Sequence, residues 1–173
     1  GIGYYEDYKP DRKYAEYGLT APVVNGIALK KTDLVRQKWL DNHFYGLTWS
    51  LNYTGKSLST SVGGAVNRYD GDHFGKVVWV RNASGLDIGK DWYRNNGVKD
   101  DANVYAKFTA EVFPSLFLNA DVQYRYIRHA MSGSDDKFDE DAQTMRNIDQ
   151  THLFHFLNPR AGLTYRIDGG QDL

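Results

Sequence analysis

Tyr45-Gly46-Leu47-Thr48-Trp49-Ser50-Leu51-Asn52-Tyr53 is the stretch whose reading decides the fold. Its odd positions are Tyr, Leu, Trp, Leu and Tyr; its even positions are Gly, Thr, Ser and Asn. A period of two sends these sets to opposite faces of a strand. The apolar face has rings at both ends and aliphatic groups between. That order suits a tilted strand crossing a bilayer roughly 25–30 Å thick, with aromatic rings at the two interfaces.

The same alternation recurs downstream. Leu58, Thr60, Val62, Gly64 and Val66 oppose Ser57, Ser59, Ser61, Gly63 and Ala65. Ala102, Val104, Ala106, Phe108, Ala110 and Val112 oppose Asn103, Tyr105, Lys107, Thr109 and Glu111. Leu116, Leu118, Ala120, Val122, Tyr124 and Tyr126 oppose Phe117, Asn119, Asp121, Gln123 and Arg125, and these two segments are expected to form a hairpin. Ala161, Leu163, Tyr165 and Ile167 oppose Arg160, Gly162, Thr164 and Arg166, after a mixed run Leu153–Leu157 and Pro159, where a bulge or broken ladder is expected.

The reading is therefore an all-β, antiparallel up-and-down meander of about five strands, 45–53, 57–67, 102–112, 116–127 and 160–167. Thr54-Gly55-Lys56-Ser57, Phe113-Pro114-Ser115 and Asp168-Gly169-Gly170-Gln171 read as tight turns. The polar stretches 69–99 and 131–152 read as long loops. Short turns on one side and long loops on the other suit an outer-membrane barrel, with periplasmic turns, extracellular loops and residues 1–44 starting outside. Thr32–Leu40 fits a helix capped by Thr32 or an extended strand; the strand is preferred because Val35 and Trp39 share the odd parity of Tyr45 and Trp49.

Composition narrows the classes. The chain has 173 residues, room for one ordinary domain, and a net charge of -1 that gives no basis for nucleic-acid binding. No apolar run approaches the length of a transmembrane helix, yet a mean hydropathy of -0.61 is compatible with barrel strands, whose alternation averages out as polar. The absence of cysteine excludes disulfides, thiolate metal sites and a cysteine nucleophile. Thirteen Tyr, eight Phe and four Trp are many for so polar a chain, as expected where rings sit at membrane interfaces. Gly1 opens into a Tyr-rich acidic stretch without the features of a signal peptide, so either a mature chain or, in preference, an internal fragment is expected.

Motifs for chemistry are weak. Thr54-Gly55-Lys56-Ser57 ends like a phosphate loop, but Ser50 stands where its opening glycine belongs, and no helix follows. Asp70-Gly71-Asp72-His73 begins like a cation loop whose closing Glu is replaced by Arg81. His152 and His155 fall on opposite faces of a strand. Asp135, Asp136, Asp139, Glu140 and Asp141 read as a solvated, mobile loop. The sequons at Asn52 and Asn82 are short patterns that arise by chance. No catalytic signature is present, so no enzyme, metal site or cofactor is expected.

Gly3-Tyr4-Tyr5-Glu6-Asp7-Tyr8-Lys9, Thr32–Gly46, Asn67–Gly75, Leu116–Tyr126 and Phe156–Tyr165 together resemble the barrel of Bacteroidetes-type TonB-dependent receptors, over nearly the whole chain. The resemblance implies an outer-membrane barrel of about 22 strands with an N-terminal plug. In such a receptor TonB, acting through the plug, releases a bound iron chelate, cobalamin or oligosaccharide inward. Residues 1–173 are then a partial barrel region without plug, TonB box or closing strand, in contact with outer-membrane lipid and the rest of the receptor. Asp72, His73, Trp79, Trp92, Tyr93 and Arg94 are expected to bind ligand from an extracellular loop. In isolation such a fragment is expected to self-associate through its edges and apolar face. The competing readings are a soluble calyx or carbohydrate-binding sandwich and a passive porin wall.

Overall fold

The computed structural model describes residues 1–83 and 85–167. The chain is an antiparallel meander of β1 (Ile2–Lys13), β2 (Val23–Val24), β3 (Ile27–Ala28), β4 (Lys31–Thr54), β5 (Leu58–Val80), β6 (Asp91–Phe113), β7 (Leu116–Asp139), β8 (Thr144–Asn147) and β9 (Gln150–Tyr165). A 3-10 turn, Tyr14–Tyr17, follows β1. The main sheet runs β1-β4-β5-β6-β7, with β8 and β9 both paired to β7, and β2 and β3 form a separate hairpin. Among the described residues the sheet does not close on itself; β1 lies at one edge. The turns at Gly55–Ser57 and Pro114-Ser115 are where the sequence suggests, whereas Asp168–Gln171 lies outside the described residues.

Three expectations are corrected. The long strands hold 24, 23, 23 and 24 residues, roughly 80 Å each and more than twice what a bilayer crossing needs. The stretch 69–99 is therefore not a loop: β5 runs to Val80, β6 starts at Asp91, and only 81–90 connect them. Likewise 131–152 is mostly strand, in β7, β8 and the start of β9, with 140–143 and 148–149 as the connections. Both faces of these extensions carry polar groups, so hydropathy no longer alternates although the backbone ladder continues. Thirdly, the sheet has more than five strands. β1 was missed inside 1–44, and the last strand starts at Gln150 rather than 160. Thr32–Leu40 lies within β4, in keeping with the extended reading.

Two of the four prolines fall within strands, Pro10 in β1 and Pro159 in β9. Pro10 interrupts the β1–β4 register between Lys9 and Arg12, and Asp11 takes a left-handed φ of 54° there. Pro159 lies inside β9, which runs as one strand from Gln150 to Tyr165. The true irregularity is Gly133, with φ 101°, whose amide donates to Asp149 Oδ1 at 2.7 Å. A Cβ at Gly133 would collide with the Arg94 carbonyl oxygen, so both conformation and space require glycine.

The chain divides into two compact units: Gly1–Phe44 with Tyr69–Lys99 and His129–His152, and Tyr45–Arg68 with Asp100–Arg128 and the last segment from Leu153. In the first, the segment 14–30 folds over the sheet. Tyr14, Tyr17, Leu34, Val77, Val80, Trp92 and Tyr93 form its core, with Leu34 at 0% exposure. Gly18 caps the 3-10 turn at φ 64°, and Asn25-Gly26, both at positive φ, close the β2–β3 hairpin as an Asn-Gly two-residue turn. In the second unit, only Gly63 and Gly64 are buried among the described residues.

Candidate functional site

In the first unit, the register Tyr5↔Lys38 and Asp7↔Arg36 sets odd residues of β1 on the same face as even residues of β4. On this face Tyr5, Lys38, His73 and Tyr93 contribute to a groove of about 620 Å³. Lys38 Nζ lies 6.0 Å from the Tyr93 ring centroid and is ion-paired with Asp136. β4 and β7 are three strand steps apart, roughly 14 Å in a flat sheet, so this contact requires the sheet of this unit to curl around the groove.

Burial pushes the Tyr93 phenol up to about 12, with the carboxylate of Asp136 adding to it. Burial alone would raise Asp136, but Lys38 holds its carboxyl below the usual range. Beside the groove Arg36 grips Asp7 through two hydrogen bonds, Nε–Oδ1 at 2.8 Å and Nη2–Oδ2 at 3.2 Å. It also donates to Tyr17 Oη at 3.3 Å and lies over Trp92. The guanidinium holds the Asp7 carboxyl at about 2. The site is thus a neutral, aromatic-walled trough whose cations are already matched by carboxylates. It offers stacking surface, a phenol and an imidazole, and no concentrated charge.

The six expected ligand residues lie in β5 and β6, not in a loop, because the strands extend through them. His73 and Tyr93 meet at the groove. Trp92 is 8% exposed and packs on Tyr17, 5.0 Å between ring centroids, as part of the core. Asp72 and Arg94 pair at 3.2 Å; Arg94 also stacks on Phe74, which continues a row through Trp39 to Tyr4. Trp79 is exposed and lines no part of the groove. Tyr5 and Lys38 were missed. The signal for them was the acidic-basic complementarity of Glu6-Asp7 with Arg36-Gln37-Lys38, which predicts an antiparallel pair.

The other motifs resolve into structure. The Asn96 amide bridges Asp70 Oδ1 and Asp72 Oδ1 at 2.7 and 2.8 Å, doing for these carboxylates what a cation would do. Among the described residues no group of three His, Asp or Glu side chains has metal-binding geometry. The acidic run is not a mobile loop. Asp135 pairs with Arg146, Asp136 with Lys38 and Glu140 with Lys13, while Asp139 Oδ1 accepts from the amides of Asp141 and Ala142 at 3.0 Å. Asp135 and Asp139 hold the β7–β8 turn, whereas Asp136 and Glu140 tie it to β4 and to Lys13 of β1. His155 hydrogen-bonds Tyr124 Oη at 2.7 Å, and His152 meets Gln150 at 3.1 Å. Thr54–Ser57 is a turn, with the Gly55 amide donating to the Leu58 carbonyl at 2.8 Å. Asn52 lies within β4, and the second sequon includes Ser84, outside the described residues.

The second unit is built on two unlike faces. On one, Thr109 Oγ1 donates to Asn119 Oδ1 at 2.8 Å, Asn119 Nδ2 to Thr164 Oγ1 at 3.0 Å, and Arg125 pairs with Asp101. Here Tyr105 crosses Gly63, where a Cβ would stand 2.6 Å from its hydroxyl. On the other face the Trp49 indole lies over Gly64. Tyr45, Leu47, Trp49, Leu51 and Tyr53 are 49–73% exposed, and Val66, Val104, Phe108, Val122, Leu163 and Tyr165 are exposed beside them. Comparison with family models, with curated proteins and with solved structures gives no match.

Proposed function

We propose that the chain is wall and rim of an outer-membrane receptor of the TonB-dependent kind, with the second unit's apolar face against lipid and the first unit's groove turned to ligand. One observation carries the reading: the second unit has a continuous apolar face and, among its described residues, no buried side chain at all. Each large apolar side chain gains about 1.5–3 kcal/mol on leaving water, so a row of them needs a covering phase. Rings at the ends of the β4 row and a hydrogen-bonded polar face behind it suit a bilayer better than a second sheet. The free edge at β1, and the far side of β8 and β9, are where further strands of a barrel of about 22 would pair.

The neutral aromatic groove suits a ligand held by stacking and hydrogen bonds. Iron chelates, cobalamin and oligosaccharides all meet that description. The test is growth of a strain lacking the gene, with each of these in turn as the limiting nutrient. A defect on one, restored by the intact gene and not by a Lys38→Ala, Tyr93→Ala version, supports the reading. Growth equal to the parent on all three contradicts uptake.

A soluble binding module is the alternative favoured by the well-packed core of the first unit. It predicts a monodisperse chain without detergent, whereas the membrane reading predicts self-association in water and dispersal in detergent.

A further inference from the structure

On the apolar face of the second unit, even positions of β5, β6 and β7 and odd positions of β4 and β9 point the same way. Among the described residues of that face the formal charges are Arg68, Asp100 and Arg128, and all three form one cluster. Arg68 Nη1 lies 3.5 Å from Asp100 Oδ1, and Arg128 Nη1 lies 3.2 Å from Asp100 Oδ2. Two guanidinium groups share one carboxylate, so the cluster carries a net positive charge. Each arginine side chain is about 40% exposed, which leaves N–H donors turned outward.

The cluster has a fixed place relative to the apolar band. Arg68 follows Val66, Asp100 precedes Ala102, and Arg128 follows Tyr126, each one step along its strand on the same face. A groove of about 520 Å³ runs from this charged end into the band; Arg68, Asp100 and Asp101 line that end, Arg128 joins it through Asp100, and the Asp101 carboxylate is matched by Arg125. Val66 and Ala102 line it between larger Tyr45 and Leu47 on one side and Tyr126 on the other. Its form is that of an amphiphile: an apolar channel with a cationic head at one end.

Resting on the membrane reading above, we propose that this groove holds one anionic phosphate-bearing lipid. Arg68 and Arg128 bind its headgroup, and an acyl chain lies along Val66 and Ala102. Guanidinium forks match phosphate oxygens in pairs, and Asp100 offsets only one of the two arginine charges, leaving the other for the phosphate. Basic groups at the edge of an apolar band attract anionic lipid, and the leaflet concerned is the one away from the Gly55–Ser57 and Pro114-Ser115 turns.

The chain in dodecyl maltoside micelles is titrated with dioleoyl phosphatidate or dioleoyl phosphatidylcholine, and retained lipid is read by native mass spectrometry. Phosphatidate is expected to bind about tenfold more tightly. The pair Arg68→Gln, Arg128→Gln should remove that preference, while Lys107→Gln, on the opposite face and outside the groove, leaves it unchanged. Asp100→Asn should strengthen the preference, an outcome that damage to the fold would not give; circular dichroism confirms that every variant keeps its strands. Equal binding of both lipids, a preference that survives the double arginine variant, or displacement of phosphatidate by an equal concentration of glycerol 1-phosphate each overturns the proposal. Flotation with phosphatidylcholine vesicles separates the two levels. A chain that floats but shows no phosphatidate preference defeats this inference alone, and one that does not float defeats the membrane reading with it.

Discussion

The first unit, of Gly1–Phe44, Tyr69–Lys99 and His129–His152, buries Tyr14, Leu34, Val77 and Trp92 under a folded-over segment. The second, of Tyr45–Arg68, Asp100–Arg128 and the last segment, buries only two glycines among its described residues. β4 contributes Lys31–Phe44 to one and Tyr45–Thr54 to the other, so a single strand is held in two ways. Before Tyr45 its partners are specific: Asp7 for Arg36, Asp136 for Lys38, Tyr4 for Trp39. After it, the same strand presents an apolar row that depends on what surrounds the protein. The difference teaches that strand length alone does not set a strand's surroundings. Those are set by where the side-chain partners of one face stop.

The largest effect is expected in the core. Leu34→Ala removes a fully buried side chain and should cost about 2–5 kcal/mol, read from urea unfolding of the detergent-solubilised chain. A cost under about 1 kcal/mol would mean that the first unit is not packed as described.

In the second unit, Leu51→Lys should weaken folding into vesicles by about 2–4 kcal/mol, whereas Ser50→Lys, one residue away on the polar face, should change little. Equal losses at both positions would erase the distinction between its faces.

The Asp7–Arg36 pair gives a smaller, pH-dependent effect. The Asp7 carboxyl titrates near 2 in the folded chain, below the ordinary 3.8, because Arg36 favours its charged form. Its contribution is complete above the unfolded value and is lost as pH falls from about 4 towards 2. Asp7→Asn should remove that part of the acid dependence, on the order of 1–2 kcal/mol, seen in urea midpoints measured against pH.

The smallest change is at the β6–β7 turn. Ser115 holds φ at 63° after Pro114, a conformation that glycine adopts without strain. Ser115→Gly should therefore leave the fold intact and raise stability by up to about 1 kcal/mol, measured as a higher urea midpoint.

The strand segments of the second unit were legible because Tyr45–Tyr53 and its successors differ sharply between faces, and Pro114-Ser115 and Gly55-Lys56 mark their turns. The strand extensions were not. In Asn67–Phe74 and Arg94–Ala102 polar and charged groups occupy both faces, so the period of two survives in the backbone but not in hydropathy. β1 was hidden for the same reason, with Tyr4 and Tyr5 on opposite faces. The Asn25-Gly26 turn was a local signal left unused. Of the candidate ligand residues, His73 and Tyr93 reach the groove. Trp92 does not, because aromatic composition alone does not separate a core ring from a binding ring. Tyr5 and Lys38 come from far away in sequence and could be found only through the pairing of β1 with β4.

A membrane-facing sheet requires the two faces of Tyr45–Tyr53 to meet different surroundings. The chain has no cysteine, so single substitutions Leu47→Cys, Thr48→Cys, Trp49→Cys, Ser50→Cys and Leu51→Cys each carry one environment-sensitive fluorophore without background. In lipid vesicles the odd positions should emit at shorter wavelength and be quenched by lipid-borne quenchers. The even positions should respond to water-soluble ones, alternating residue by residue. A uniform response along the segment, or lipid contact at the even positions, would contradict the membrane-facing sheet.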